Sequence, residues 1–234
     1  MKLTKKLIVS VSIFLTAVSI EIHAVTFDGT PVDVSVTTRL SDSTFHIYEP
    51  PYKAMWTYRE MSEAKNLTPE ELLTSIASES NQEWVDYNNA KGKSHTVSKK
   101  QFEFRRNRSH EKNYFELAHK FKFSLNGVET VIVKYWFIDD GKKNGSTTLQ
   151  AQKIDGKWVS SPVVGLDKLS LVIDKLDSNI LASFFSSIDK DPLISDLYVK
   201  TRGDRNILNI DKLYDTLISV LKTDKNRLKV LMGD

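Results

Sequence analysis

On either side of Asn126-Gly127 the chain places apolar residues at every second position, and that single stretch limits the fold more than any other. Phe115, Leu117, His119, Phe121, Phe123 and Leu125 line one face of a strand, and Val128 to Ile138 return beside it. Asn-Gly is the two-residue turn that accepts φ > 0 at both positions, so the hairpin is strongly signalled. The turn pairs Leu125 with Val128 and thereby sets the register of everything behind it. Phe123 then faces Thr130, Phe121 faces Ile132, His119 faces Lys134, Leu117 faces Trp136 and Phe115 faces Ile138. On the opposite face Lys120 meets Val133 and Glu116 meets Phe137.

The hairpin extends into a meander. A longer turn is expected over Asp139 to Gly145, a third strand over Thr147 to Ile154, and a turn at Asp155-Gly156 into Lys157-Trp158-Val159. Phe102 and Phe104 read as one more strand near 101–107. Upstream, Val32, Val34 and Val36 suggest early strands within 25–48. Pro50-Pro51 is expected to stop strand structure, and Tyr52 to Ala64 reads as a short helix. Thr68-Pro69-Glu70-Glu71 is a helix start: a capping hydroxyl, a proline at the first position and two acids at the positive end of the dipole. Apolar spacing then carries that helix to about residue 88. A polar basic link, 91–100, follows. Residues 166–188 are helical by pattern, Asp191-Pro192 ends them, and a short element at Leu193 to Val199 precedes a polar loop at 201–206. A last helix begins at Asp211, with a further turn through Leu228 and Leu231. The expected fold class is α+β: a curved antiparallel β-meander packed against an N-terminal helix, with a C-terminal helical segment.

The N-terminus has the three-part order of a secretory leader. Met1 to Lys6 is basic, Leu7 to Val18 is uncharged, and Ser19 to Ala24 ends on a small residue. Cleavage is expected after Ala24, with Ser19 as the alternative, and no Cys follows to carry a lipid. The apolar run is shorter than the ~20 residues that span a bilayer, so no stable membrane insertion is expected once it is removed. Of 33 basic and 30 acidic side chains, three Lys and one Glu fall in the leader, leaving 30 and 29 on residues 25–234. A balance so close to neutral gives no ground for nucleic-acid binding. The chain has no cysteine, so an exported product would be held by its apolar core alone. That combination points to a bacterial periplasmic or secreted protein, with residues 25–234 as a single domain.

The helix at 69–88, the hairpin Tyr114 to Ile138, and Gln150 to Val159 with its Asp155-Gly156-Lys157-Trp158 turn together resemble the NTF2-like (cystatin-like cone) architecture. The resemblance covers roughly residues 50–160 and leaves 161–234 as a helical extension. It implies a concave sheet face that lines a ligand pocket. It leaves activity open, because such folds host enzymes and binding modules alike.

Within that frame His119 and Lys134 are candidate polar anchors, with Phe121 and Trp136 beside them as ligand-binding residues. A polar pair on an apolar sheet face needs partners or a wet pocket. The competing reading places the pair near a sheet edge with Lys134 reaching out to solvent. Arg105, Arg106 and Arg108 form the densest basic run and are candidate partner-binding residues, or else an edge kept soluble by charge. His46, His95, His110 and His119 show no metal-ligand spacing, and no nucleophile elbow, phosphate loop or dinucleotide motif occurs, so neither a catalytic residue nor a cofactor is assigned. Arg202-Gly203-Asp204 matches an adhesion tripeptide, a length at which chance matches are common. The functional expectation is an exported, non-enzymatic binding protein that recognises a protein partner or a small apolar ligand, with a periplasmic inhibitor or immunity-type protein as one form. The alternatives are a pocket enzyme using His119 as general acid/base with Lys134 holding an anionic group, and a secreted host-interaction factor.

Overall fold

The computed structural model describes residues 37–39, 43–186 and 207–223, all within one unit of residues 35–234. The expected leader, the Val32 to Val36 alternation, the 193–199 element, Arg202-Gly203-Asp204 and the turn through Leu228 and Leu231 lie outside the described residues.

Strand β1 (Thr37–Arg39) stands apart from the main sheet. The sheet is a curved antiparallel meander of β2 (Thr44–Ala54), β3 (Tyr114–Leu125), β4 (Val128–Asp139), β5 (Lys142–Ile154) and β6 (Lys157–Ser160), hydrogen-bonded in that order. The hairpins from β3 to β6 close on two residues each. Asn126 and Gly127 have φ of 51° and 81°, and Asp140-Gly141 and Asp155-Gly156 repeat the pattern. Left-handed backbone at both positions matches the strand twist, which is why X-Gly recurs at each corner. The loop expected over Asp139 to Gly145 is therefore a tight turn, and β5 starts earlier than its apolar pattern.

Helices α1 (Pro69–Ser78), α2 (Gln82–Asn88) and α3 (Lys99–Arg106) lie between β2 and β3 in sequence. Helices α4 (Asp167–Lys175) and α5 (Ser178–Ser186) follow the sheet, and β7 (Ile207–Asn209), which pairs with β1, leads into α6 (Ile210–Thr223). The fold class is α+β, as the pattern of alternation and helical spacing predicts.

Several local expectations are corrected. The helix expected over 69–88 is two, because the Asn81 side chain accepts from Trp84 N at 2.9 Å and restarts the chain as an N-cap. The helix expected over 166–188 also breaks, at Leu176, whose backbone is extended; Asp177 then accepts from Asn179 N at 2.8 Å. The strand expected near 101–107 is helix α3, fixed by a capping box in which Ser98 and Gln101 each satisfy the other's backbone N–H. Pro50-Pro51 does not stop β2. This strand is the outermost of the sheet, where a missing N–H forfeits no ladder bond, and the register shifts between Ile47 and Tyr52 to pass the prolines. The helix expected over Tyr52 to Ala64 is the end of β2 plus one 3-10 turn at Met61–Glu63.

The register of β3 against β4 follows the Asn126-Gly127 turn as far as His119↔Lys134. Between Leu117 and His119 it slips by one, so Leu117 pairs with Tyr135, Glu116 with Trp136 and Phe115 with Phe137. A bulge at Ala118 turns the strand over. His119, Phe121, Phe123 and Leu125 face α4, α5 and α6, in a core with Ile132, Leu169, Ile173, Phe184 and Leu213. Leu117 and Phe115 face the other way, in a core with Leu72, Leu73, Val131, Val133 and Trp158. The six residues expected on one face are thus shared between two cores. A third small cluster, Val85, Val97 and Phe102, ties α3 to α2.

Candidate functional site

His119 and Lys134 are cross-strand neighbours, as the turn register requires. His119 is fully buried, and both of its ring nitrogens are engaged. Nε2 lies 2.9 Å from the carbonyl oxygen of Ile173, and Nδ1 lies 2.7 Å from Ser178 Oγ. A carbonyl only accepts, so Nε2 carries the proton and Nδ1 accepts from the serine hydroxyl. Burial is the main force on this imidazole and pushes its pKa down to about 4, aided by the nearby Lys134 ammonium; the Ile173 carbonyl and the Asp174 and Asp177 charges oppose the fall without reversing it. The ring is thus a neutral strut between β3 and the α4–α5 junction.

Phe121 is a core residue with no open face: its ring stacks on Phe185 at 4.1 Å and on Phe123 at 5.1 Å. Phe45, brought in by β2, packs on His119 and Phe185. Lys134 is 7 % exposed and makes no hydrogen bond or ion pair among the described residues. Burial lowers its pKa, and its Nζ stands 5.4 Å from the centre of the Trp136 ring. Trp136 faces Glu116 rather than Leu117 because of the Ala118 bulge, and Lys143, which pairs with Glu116 at 2.9 Å, also lies over its ring at 5.0 Å. The four residues expected to line one cavity are therefore distributed: two are packed by the C-terminal helices and two stand at the margin of that packing.

The basic run is also resolved into separate roles. Arg105, on α3, reaches Glu79 at 3.4 Å. Arg108, in the loop after α3, is bound to Asp139 and Asn113 and lies over the Phe104 ring at 5.2 Å. Arg106 is exposed and makes no ion pair among the described residues. Phe104, the second phenylalanine of the misread strand, is 57 % exposed.

Sequence reasoning missed two further groups. Glu79, at the break between α1 and α2, ends a buried chain of hydrogen bonds: Trp84 Nε1 donates to Ser75 Oγ, which donates to Asn88 Oδ1, while Asn88 Nδ2 donates to Glu79 Oε1. Asn66 Nδ2 donates to the same Asn88 oxygen. Burial pushes the Glu79 carboxyl up to about 7, against the hydrogen bond from Asn88 and the charge of Arg105. The signal that could have found it is Glu79-Ser80-Asn81, an acid next to a capping residue inside an apolar period. The second group is a cleft of about 470 Å³ lined by Asp86, Tyr87, Lys91, Ser94, Asp155 and Lys157 among others. Lys157 lies over the Tyr87 ring at 3.7 Å and donates to the Tyr87 carbonyl at 3.3 Å.

No group of three or more His, Asp or Glu suited to a metal ion occurs among the described residues, and no described helix is long and apolar enough to cross a membrane. Comparison of the chain with family models, with curated proteins and with solved structures returned no match.

Proposed function

We propose that this is an exported, non-enzymatic binding protein whose target is another protein, a periplasmic inhibitor or immunity-type protein being one form. The NTF2-like reading of residues 50–160 belongs to the same proposal and puts the expected ligand pocket on the His119 face. The observation that carries the choice of a protein target is the state of that face. Helices α4 and α5 fill it, and the nitrogen of His119 that would take a proton already accepts from Ser178 at 2.7 Å. A general base needs a free lone pair within reach of its substrate. The Tyr87–Lys157 cleft mixes Ala90, Ile154 and Val159 with Asp86, Lys91, Asp155 and Lys157, whose charged groups an apolar ligand would desolvate without replacing their water.

The test is a capture experiment with residues 25–234 as bait against periplasmic and culture fractions, with mass spectrometry of proteins and small molecules together. The expected result is one protein retained in near-stoichiometric amount. A small molecule bound one-to-one, or a turnover lost in His119→Ala and kept in Tyr87→Ala, would replace this reading with the pocket-enzyme one. N-terminal sequencing of the native molecule checks export: the expected first residue is Val25.

A further inference from the structure

Charge is unevenly spread along this chain. Residues 91–106 hold Lys91, Lys93, Lys99, Lys100, Arg105 and Arg106 against the single acid Glu103, a net of +5, while the whole chain carries +3. The rest of the molecule is therefore net acidic, and its entire basic excess sits on α3 and the link before it. Among the described residues, Arg105 alone of the six cations is matched by an acid, Glu79. Lys91, Lys93, Lys99, Lys100 and Arg106 are exposed and make no ion pair among the described residues.

This segment is held in place. The Ser98–Gln101 capping box sets the start of α3, and Phe102 and Val97 pin it to Val85. Two positions beyond Phe102, about 200° around the helix, Phe104 points outward. It has the guanidinium of Arg108 on its ring, and Lys100 stands one turn before it on the same side. A ridge kept soluble by charge has no use for an exposed aromatic ring at its crest, whereas an interface does. Aromatic and Arg side chains are the residue types that dominate interface energetics, and a prefixed helix loses little freedom on docking.

We propose that this ridge is the surface through which the protein docks, and that its partner is a protein presenting an acidic face with an apolar recess for Phe104. The inference rests on the protein-binding reading above. Charge complementarity names the partner's sign: five unmatched cations steer an acidic surface and repel a basic one. An anionic membrane is the weaker match. A helix that lies on a bilayer buries a broad apolar face, and the other aromatic of α3, Phe102, is already spent on the core.

The experiment places the photo-crosslinking residue p-benzoylphenylalanine at position 104 of the full chain in producing cells, and separately at Val164 and Leu171, two exposed apolar residues elsewhere. The expected result is a protein adduct at 104 alone, joined to a peptide rich in Asp and Glu. Combining the probe with Lys99→Glu, Lys100→Glu and Arg106→Glu should lower adduct yield by ~10-fold or more, while the same net change at Lys65, Lys142 and Lys212 should alter it by less than about two-fold. Circular dichroism of each variant confirms that it is folded. A lipid adduct at 104, an adduct peptide without acids, equal loss in both triple variants, or a protein adduct only at 164 or 171 would each overturn the inference. In the last case the protein-binding reading survives. No protein adduct at any position overturns the inference as well, and together with an empty capture experiment it removes that reading too.

Discussion

The two sides of the sheet bury polar groups in opposite ways. On the α1–α2 side a carboxyl, Glu79, closes a chain of side-chain hydrogen bonds through Asn88, Ser75 and Trp84, and Arg105 links it to the surface. On the α4–α5 side one imidazole, His119, sits among aromatic rings and finds both partners within the packing. Burial is the largest influence in both places, and it favours the neutral form of each group. The consequence for stability differs in sign because one group is an acid and the other a base.

An acid whose folded pKa is raised takes up a proton on folding, so Glu79 contributes more as pH falls from about 7 towards its ordinary 4.5. A base whose folded pKa is lowered sheds a proton on folding, so His119 contributes fully above its ordinary 6.5 and loses that contribution as pH falls towards about 4. Each shift corresponds to on the order of 3 kcal/mol. Across the shared window from pH 6.5 to 4.5 the two oppose each other, and the fall in stability that remains with acid is that of His95, whose pKa burial also lowers.

Breaking the packing of the imidazole side outright has the largest expected effect. Phe121→Ala removes a ring stacked on both Phe185 and Phe123 and should cost about 3–5 kcal/mol in chemical denaturation. The opposition itself is tested next. Glu79→Gln removes the acid side, so denaturation midpoints measured from pH 7 to 4 should fall steadily, by the equivalent of about 3 kcal/mol. A flat profile in that variant would mean that His119 is not held neutral. Ser178→Ala leaves Nδ1 of His119 without its donor and should cost about 1–3 kcal/mol, the penalty of an unpaired buried acceptor. The smallest change is expected for Arg105→Ala. Its side chain is 40 % exposed, so stability at neutral pH should move by about 1 kcal/mol or less. The midpoint for protonation of Glu79, followed by the fluorescence of Trp84 at the end of the chain, should rise.

Features set by neighbours in sequence were legible, and features set by distant contacts were not. Asn126-Gly127 announced the hairpin, and its register held through His119↔Lys134. It failed beyond Ala118 because a bulge leaves no mark on a pattern in which Leu117 and Phe115 are apolar on either face. The two overlong helices failed for a related reason: apolar spacing ran on past Asn81 and Asp177 as though neither capped a new helix. In α3 the alternation of Phe102 and Phe104 imitated a strand, while the overlooked Ser98 and Gln101 spelled the capping box. For the site, the pairing of His119 with Lys134 followed from the turn. The partners that close over His119, Ile173 and Ser178, are 54 and 59 residues away, and no local pattern reports them.

The prolines of β2 have a consequence for how these molecules behave in a crowd. The outermost strand of a sheet is where a foreign chain adds itself, and an eleven-residue strand is long enough to seed such growth. Pro50 and Pro51 remove two successive donors from the middle of it, in the stretch where pairing to β3 is already interrupted. An incoming strand therefore meets a gap instead of a continuous ladder, and the exposed charges of Glu49 and Lys53 on either side of that gap add to the resistance to edge-to-edge fibril growth.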